Sequence, residues 1–166
     1  MIQIHIGFDD TDSPRMGCTT YVAALLVEKL QGLGVSFTDY PNLVRLNPNV
    51  PWKTRGNGAL CLRVRCPEDL VREVVETVVD VVEENADLEY AGTDPGAVFL
   101  FNEDVPQEIR DFAKRTIQGV VKMKEALRLL RMFRGEAVGF KGGRGIIGGL
   151  SAVGETLEED HTFEVL

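Results

Sequence analysis

The sequence predicts a mixed α/β fold of the α+β class, and three observations carry that expectation. Stretches with two-residue alternation and stretches with helical spacing follow one another along the 166 residues. From Ala59 onward the order strand, helix, strand, helix suits a ferredoxin-like split βαβ unit. Hydrophobic residues make up 44% and charged residues 27% of the chain, enough to bury a core.

Residues 2–8 alternate and end at Gly7-Phe8, as a strand does. Residues 9–19 form a polar loop with Pro14 and Gly17. Residues 20–33 read as a helix: Thr19 or Thr20 suits its cap, Val22, Leu25, Leu26 and Leu30 form its buried stripe, and Gly32 or Gly34 stops it. Residues 35–37 and 43–46 are short strands, 47–58 a loop rich in Asn, Pro and Gly, and 59–66 a strand. Residues 67–85 carry the strongest helical pattern. Pro67 suits a helix start, Glu68 and Asp69 suit its first turn, and Leu70, Val71, Val74, Val75, Val78, Val81 and Val82 form a wide stripe. Valine is a poor helix former, but the spacing outweighs propensity. Residues 97–102 read as a strand, 106–117 and 123–133 as helices, and 137–141 as a strand. Residues 142–154 read as a glycine-rich loop leading into a short helix, and 162–166 as the start of a strand.

Composition excludes several classes. No apolar run reaches the ~18–20 residues a membrane helix needs. The start Met1-Ile2-Gln3-Ile4-His5 lacks the basic region of a signal peptide, so a soluble cytoplasmic protein is expected. Cys18, Cys61 and Cys66 form no C-x-x-C pair, and only His5 and His161 could act as imidazoles, which disfavours a zinc site, a disulfide framework and a Ser-His-Asp triad. The net charge of −8 argues against a general nucleic-acid binder, but its distribution is uneven. Residues 114–144 carry nine cations against Glu125 and Glu136, a local charge of +7. Such asymmetry predicts an anionic partner at one face, with Lys124, Arg128 and Arg131 at helical spacing as the residues that contact it.

Three constellations can carry chemistry. Asp9, Asp10 and Asp12 crowd three carboxylates just after a strand, where α/β proteins bind ligands and where Mg²⁺ or phosphate chemistry relieves the repulsion. Gly17-Cys18-Thr19-Thr20 opens a helix whose N–H groups suit phosphate, with a hydroxyl placed as ligand or phosphoryl acceptor. Two glycine-rich basic loops, one with Lys53, Arg55, Gly56 and Gly58 and one with Gly143, Arg144 and Gly145, offer charge and backbone N–H groups to phosphates. Neither loop matches a Walker A or G-x-G-x-x-G pattern.

In this order the motifs Gly7-Phe8-Asp9-Asp10-Thr11-Asp12-Ser13, Gly17-Cys18-Thr19-Thr20-Tyr21, Arg45-Leu46-Asn47-Pro48, Lys53-Thr54-Arg55-Gly56-Asn57-Gly58 and Gly143-Arg144-Gly145-Ile146-Ile147-Gly148 resemble the archaeal agmatidine synthases, the isoleucine-tRNA 2-agmatinylcytidine synthetases. The resemblance covers essentially the whole chain. It implies a kinase-like catalytic domain, at residues 1–58 and 135–166, with a ferredoxin-like domain at 59–134. It implies an ATP-dependent ligase that activates C2 of the wobble cytidine of the CAU-anticodon isoleucine tRNA and joins agmatine to it, with ATP ending as AMP. Thr19 matches the family's phosphorylated threonine. Asp9, Asp10 and Asp12 are expected as catalytic and Mg²⁺-holding residues, and Thr11, Lys53, Arg55, Gly56, Gly58, Gly143, Arg144 and Gly145 as ATP-binding ones. Family members continue into an OB-fold and a cysteine-rich zinc region, so zinc is expected only beyond this segment. The rival readings are a non-catalytic nucleotide- or RNA-binding module and a Mg²⁺-dependent phosphatase.

Overall fold

The computed structural model describes residues 1–53 and 57–156. Its centre is strand β1 (Ile2–Asp9), whose residues from Gln3 to Phe8 are all buried. A strand buried on both faces needs cover on both, and the helices supply it. Helix α1 (Thr19–Gly32) follows β1, and the short strands β2 (Ser36–Phe37) and β3 (Asn42–Arg45) follow α1. Strand β4 (Gly58–Cys66) pairs antiparallel with β1 from Ile2 opposite Cys66 to Phe8 opposite Leu60. A 3₁₀ turn (Glu68–Leu70) then leads into helix α2 (Val71–Asn85). Strand β5 (Gly96–Leu100), helices α3 (Gln107–Gln118) and α4 (Met123–Met132), strand β6 (Glu136–Gly139) and helix α5 (Gly145–Gly154) complete the order.

The strands form one six-stranded antiparallel sheet in the order β2-β4-β1-β5-β6, with β3 also paired to β4. Both β4 and β5 run antiparallel to β1, so they are parallel to each other with β1 inserted between them. The unit β4-α2-β5 is therefore a split βαβ, as the strand–helix–strand order predicts. The same sheet joins strands of the expected catalytic segment (β1, β3 and β6) to strands of the expected ferredoxin-like segment (β4 and β5).

On one face α1 and α2 close a core around Ile4, Phe8, Leu26, Val78 and Phe99. On the other, α3, α4 and α5 close a second core around Ile109, Phe112, Leu129 and Leu150. Each such side chain contributes ~1.5–3 kcal/mol by leaving water. The valine stripe of α2 is buried at Val74, Val75, Val78, Val81 and Val82, as its spacing predicts.

Two local readings differ. Helix α1 is capped by Cys18 in an extended conformation, and neither Thr19 nor Thr20 occupies the cap. In the stretch expected as a glycine-rich loop leading into a short helix, the loop is only residues 142–144, and the helix takes all of Gly145 to Gly154. Glycines on the facing strands let the helix backbone lie against the sheet: a Cβ on Gly7 of β1 would lie 1.9 Å from Gly149 O, and one on Gly96 of β5 2.3 Å from Ile146 N. Tertiary contact here overrides the poor helix propensity of glycine. The strand expected at 162–166 lies outside the described residues, as do Thr54, Arg55 and Gly56.

Candidate active site

Strand β1 carries Asp9 at its carboxyl end, where the chain turns sharply at Asp10. Its φ of 59° lies in the left-handed region, which Asp tolerates better than most residues. The loop that follows returns at Cys18, and Thr19 begins α1. Asp9, Asp10, Asp12 and Thr19 thus line one wall of a single pocket. Asn47, Lys53 and Arg144 add polar and cationic groups, and Leu46, Val50, Trp52 and Val120 add an apolar wall. Trp52 and Val120 remain 44% and 66% exposed, so the apolar wall is open at its mouth. A pocket lined by carboxylates and by an exposed aromatic suits a ligand with a polar, metal-coordinating part and a flat apolar part.

The carboxylates differ in environment. Burial pushes the Asp9 carboxyl well above its ordinary value, against the pull of the Asp10 N–H, which donates to Asp9 Oδ1 at 2.7 Å. Asp9 fits against α5 because Gly148 lacks a side chain: a Cβ there would lie 2.0 Å from Asp9 Oδ2. Burial also raises Asp10, while the Arg144 guanidinium beside it works the other way. Arg144 donates to Asp10 Oδ2 at 3.0 Å and to Gly92 O at 2.8 Å, and its other nitrogen lies 3.6 Å from Asp94. Asp94 N–H donates to the same Asp10 oxygen at 3.1 Å.

The aspartate loop is fastened to the segment after α2. Asp87 accepts from Ser13 Oγ at 2.6 Å and from two Arg15 nitrogens at 2.7 Å each. The Arg15 hydrogen bond, with Ser13 second, holds the Asp87 carboxyl well below its ordinary value. Asp87 N–H donates to Thr11 O at 3.0 Å, and Thr93 Oγ1 donates to Asp12 O at 2.7 Å. Lys141 in turn holds that segment, donating to Tyr90 O and Thr93 O, both at 2.7 Å.

The fold therefore brings together Asp9, Asp10, Asp12, Thr19, Lys53, Gly58 and Arg144, which the sequence singled out. Others stand elsewhere. Thr11 is fully buried and bonds to Thr19. Gly143, with φ of +68°, closes the turn before α5, where its missing Cβ leaves room for Gly139. Gly145 lies inside α5 against Asp9 O and Gly96 N. The N–H of Gly142 donates to Asp94 Oδ1 at 2.9 Å, so this turn already holds a carboxylate. Lys124, Arg128 and Arg131 are exposed on α4, as their spacing predicts. Asp87 and Asp94 escaped the sequence reading. The Asp94-Pro95-Gly96 turn signal marks a tight turn but says nothing of Asp10, 84 positions away.

Among the described residues no group of three or more His, Cys, Asp or Glu side chains is arranged to hold a metal ion. The pocket's donors are nonetheless the hard oxygens that Mg²⁺ takes when one or two carboxylates share it with phosphates and water. No described helix is long and apolar enough to cross a membrane.

Residues 5–70 match the family model described as the TiaS TCKD domain. A tRNA(Ile2) 2-agmatinylcytidine synthetase TiaS of Pyrococcus horikoshii is 45% identical over 163 residues, 98% of this chain and 38% of that protein. The same-named protein of Archaeoglobus fulgidus is 41% identical over 165 residues, 99% of this chain and 38% of its own length. The crystal structure of a TiaS–tRNA(Ile2)–ATP complex matches with a TM-score of 0.88 at 39% identity, over 96% of this chain and 37% of that one. A TiaS–tRNA(Ile2)–AMPCPP–agmatine complex matches at 0.86 and 37% identity, over 96% and 38%. The chain thus spans about two fifths of the length of these relatives.

Proposed function

Over nearly its whole length the chain belongs to the TiaS family, and on that premise we propose that it is the phosphoryl-transfer part of a ligase that joins agmatine to C2 of the wobble cytidine in the CAU-anticodon isoleucine tRNA. The observation that carries the reading is the convergence of the aspartate loop, the Thr19 hydroxyl and Lys53 on one pocket. ATP lies in that pocket with its phosphates toward the aspartates. A Mg²⁺ would be held by one or two of the carboxylates Asp9, Asp10 and Asp12 together with phosphate oxygens and water, and would neutralise phosphate charge there. Thr19 accepts the phosphoryl group. Lys53, with its amine on Pro48 O, supplies positive charge near the transferred phosphate. Arg144 balances Asp10 and Asp94, and keeps the acidic wall from repelling the nucleotide.

The tRNA approaches over α3 and α4. The segment between these helices, Gly119 to Val121, lines the pocket, so the basic layer adjoins the chemistry. With ATP and tRNA as its substrates, the protein works in the cytoplasm.

The test is mass spectrometry of the full-length protein after incubation with Mg·ATP. A phosphate on Thr19, lost in Thr19→Ala, is expected. A phosphate that persists in Thr19→Ala, or equal ATP affinity with and without Mg²⁺ by calorimetry, contradicts the assignment.

A further inference from the structure

We propose that Thr11 is a positioning residue for the phosphoryl acceptor, acting on the Thr19 hydroxyl and selecting it over the neighbouring Thr20; this rests on the reading of Thr19 as acceptor. Thr11 is 0% exposed, so it does not meet the nucleotide. Its Oγ1 donates to Thr19 Oγ1 at 3.1 Å. A threonine in a helix divides between two χ1 rotamers, so its hydroxyl has no single direction of its own. A hydroxyl has one donor and two acceptor sites. Accepting from Thr11 fixes one lone pair of Thr19 Oγ1 and leaves the other, with the proton, for the pocket.

Thr11 is itself immobilised. Its carbonyl takes the Asp87 N–H at 3.0 Å, and the Asp87 carboxylate is bound by Ser13 Oγ and by two nitrogens of Arg15. A rigid donor passes its placement to the group it holds. Thr20 lacks this device. Its Oγ1 lies 2.7 Å from Cys18 Sγ, and Thr19, not Thr20, lines the pocket. In the transfer step the Thr19 Oγ1–phosphorus bond forms as the terminal phosphoanhydride bond of ATP breaks. The electron pair leaves on the bridging oxygen of the departing nucleotide, whose further cleavage yields AMP, and the hydroxyl proton passes to a carboxylate of the pocket. A misdirected oxygen slows this step without weakening ATP binding.

The experiment compares Thr11→Val, which keeps the shape and removes the donor, with Thr11→Ser, which keeps the donor. The full-length protein is incubated with Mg·ATP without tRNA, phosphate on Thr19 and Thr20 is followed by mass spectrometry, and ATP affinity is measured on the same samples. Thr11→Val is expected to slow Thr19 phosphorylation by at least about tenfold. ATP affinity is expected to stay within about twofold, and Thr11→Ser to restore the rate. The proposal is overturned by a wild-type rate in Thr11→Val, by equal loss in Thr11→Ser, or by loss of ATP binding along with the rate, which makes Thr11 structural. Wild-type protein with no phosphate on Thr19 defeats the underlying reading instead.

Discussion

Arg144 and His5 show how a side chain's meaning depends on what the fold sets beside it. From the sequence, Arg144 is a cation in a glycine-rich stretch. In the fold it is the counter-charge of Asp10, with side chains 30% and 12% exposed. Arg144→Ala should therefore cost stability as well as nucleotide affinity. An exposed pair contributes ~0–1 kcal/mol and breaking a fully buried one costs ~3–5. The expected loss is about 1–2 kcal/mol by urea unfolding, together with weaker ATP binding. An unchanged unfolding midpoint would mean that Arg144 serves the ligand alone.

His5 belongs to a second polar cluster on the sheet. Arg63 donates to His5 Nδ1 at 2.7 Å, and His5 Nε2 meets Asn102 O at 3.0 Å, which requires the neutral, Nε2-protonated ring. Burial first, then the Arg63 charge, lowers its pKa below 6.5, although Glu103 works the other way. The unfolded ring therefore binds a proton at higher pH than the folded one. The stabilisation is complete above 6.5 and is lost as pH falls from there through the folded value. Unfolding of wild type and His5→Gln should give a steeper fall for wild type as pH drops below 6.5. Parallel pH profiles would remove His5 from the account.

At the scale of elements, α5 decides the site. Its N-terminus carries Arg144, Gly148 receives Asp9, and Gly149 lies on Gly7 of β1. Gly7→Ala would place a Cβ 1.9 Å from a backbone oxygen, where no flexible side chain can yield. Overpacking of this kind costs typically ~1–3 kcal/mol, and here it would also lift α5 and its arginine from the pocket. Thermal unfolding and ATP affinity should both fall. A Cβ on Gly32, at the end of α1, would meet nothing within 4 Å, so Gly32→Ala should be neutral or stabilising by ~0.5–1 kcal/mol. If both variants unfold alike, close helix–sheet approach is not what Gly7 provides.

Across the whole molecule the two helical layers differ in charge. The α1/α2 face exposes Glu73, Glu76, Asp80, Glu83 and Glu84, whereas the α3/α4 face exposes Lys114, Lys124, Arg128 and Arg131. The sheet separates them, so a polyanion would meet a basic surface from one side only. Replacing Arg128 and Arg131 by Ala should weaken tRNA binding equally for matched and unmatched tRNAs. The salt slope should drop by about one for each lost phosphate contact. Unchanged affinity at low salt would make this a solvated helix face. Discrimination of the isoleucine tRNA by this chain alone would show that it holds selective contacts as well.

Period and composition are local signals, and what they determined here is local. The valine stripe of α2, the alternation of β1 and β4, and the basic spacing of α4 each follow from side-chain direction along one element. The order of the motifs around Asp9, Thr19 and Lys53 was equally visible in the sequence, and it pointed to the family that the relatives share. The tertiary structure alone decided the rest. The full strand order, the Arg144–Asp10 pair and the Asp87 clasp on the loop join residues dozens of positions apart. Such pairings depend on which surfaces meet once both cores close. A glycine that reads locally as a turn becomes, in that contact, the space into which a neighbouring backbone fits.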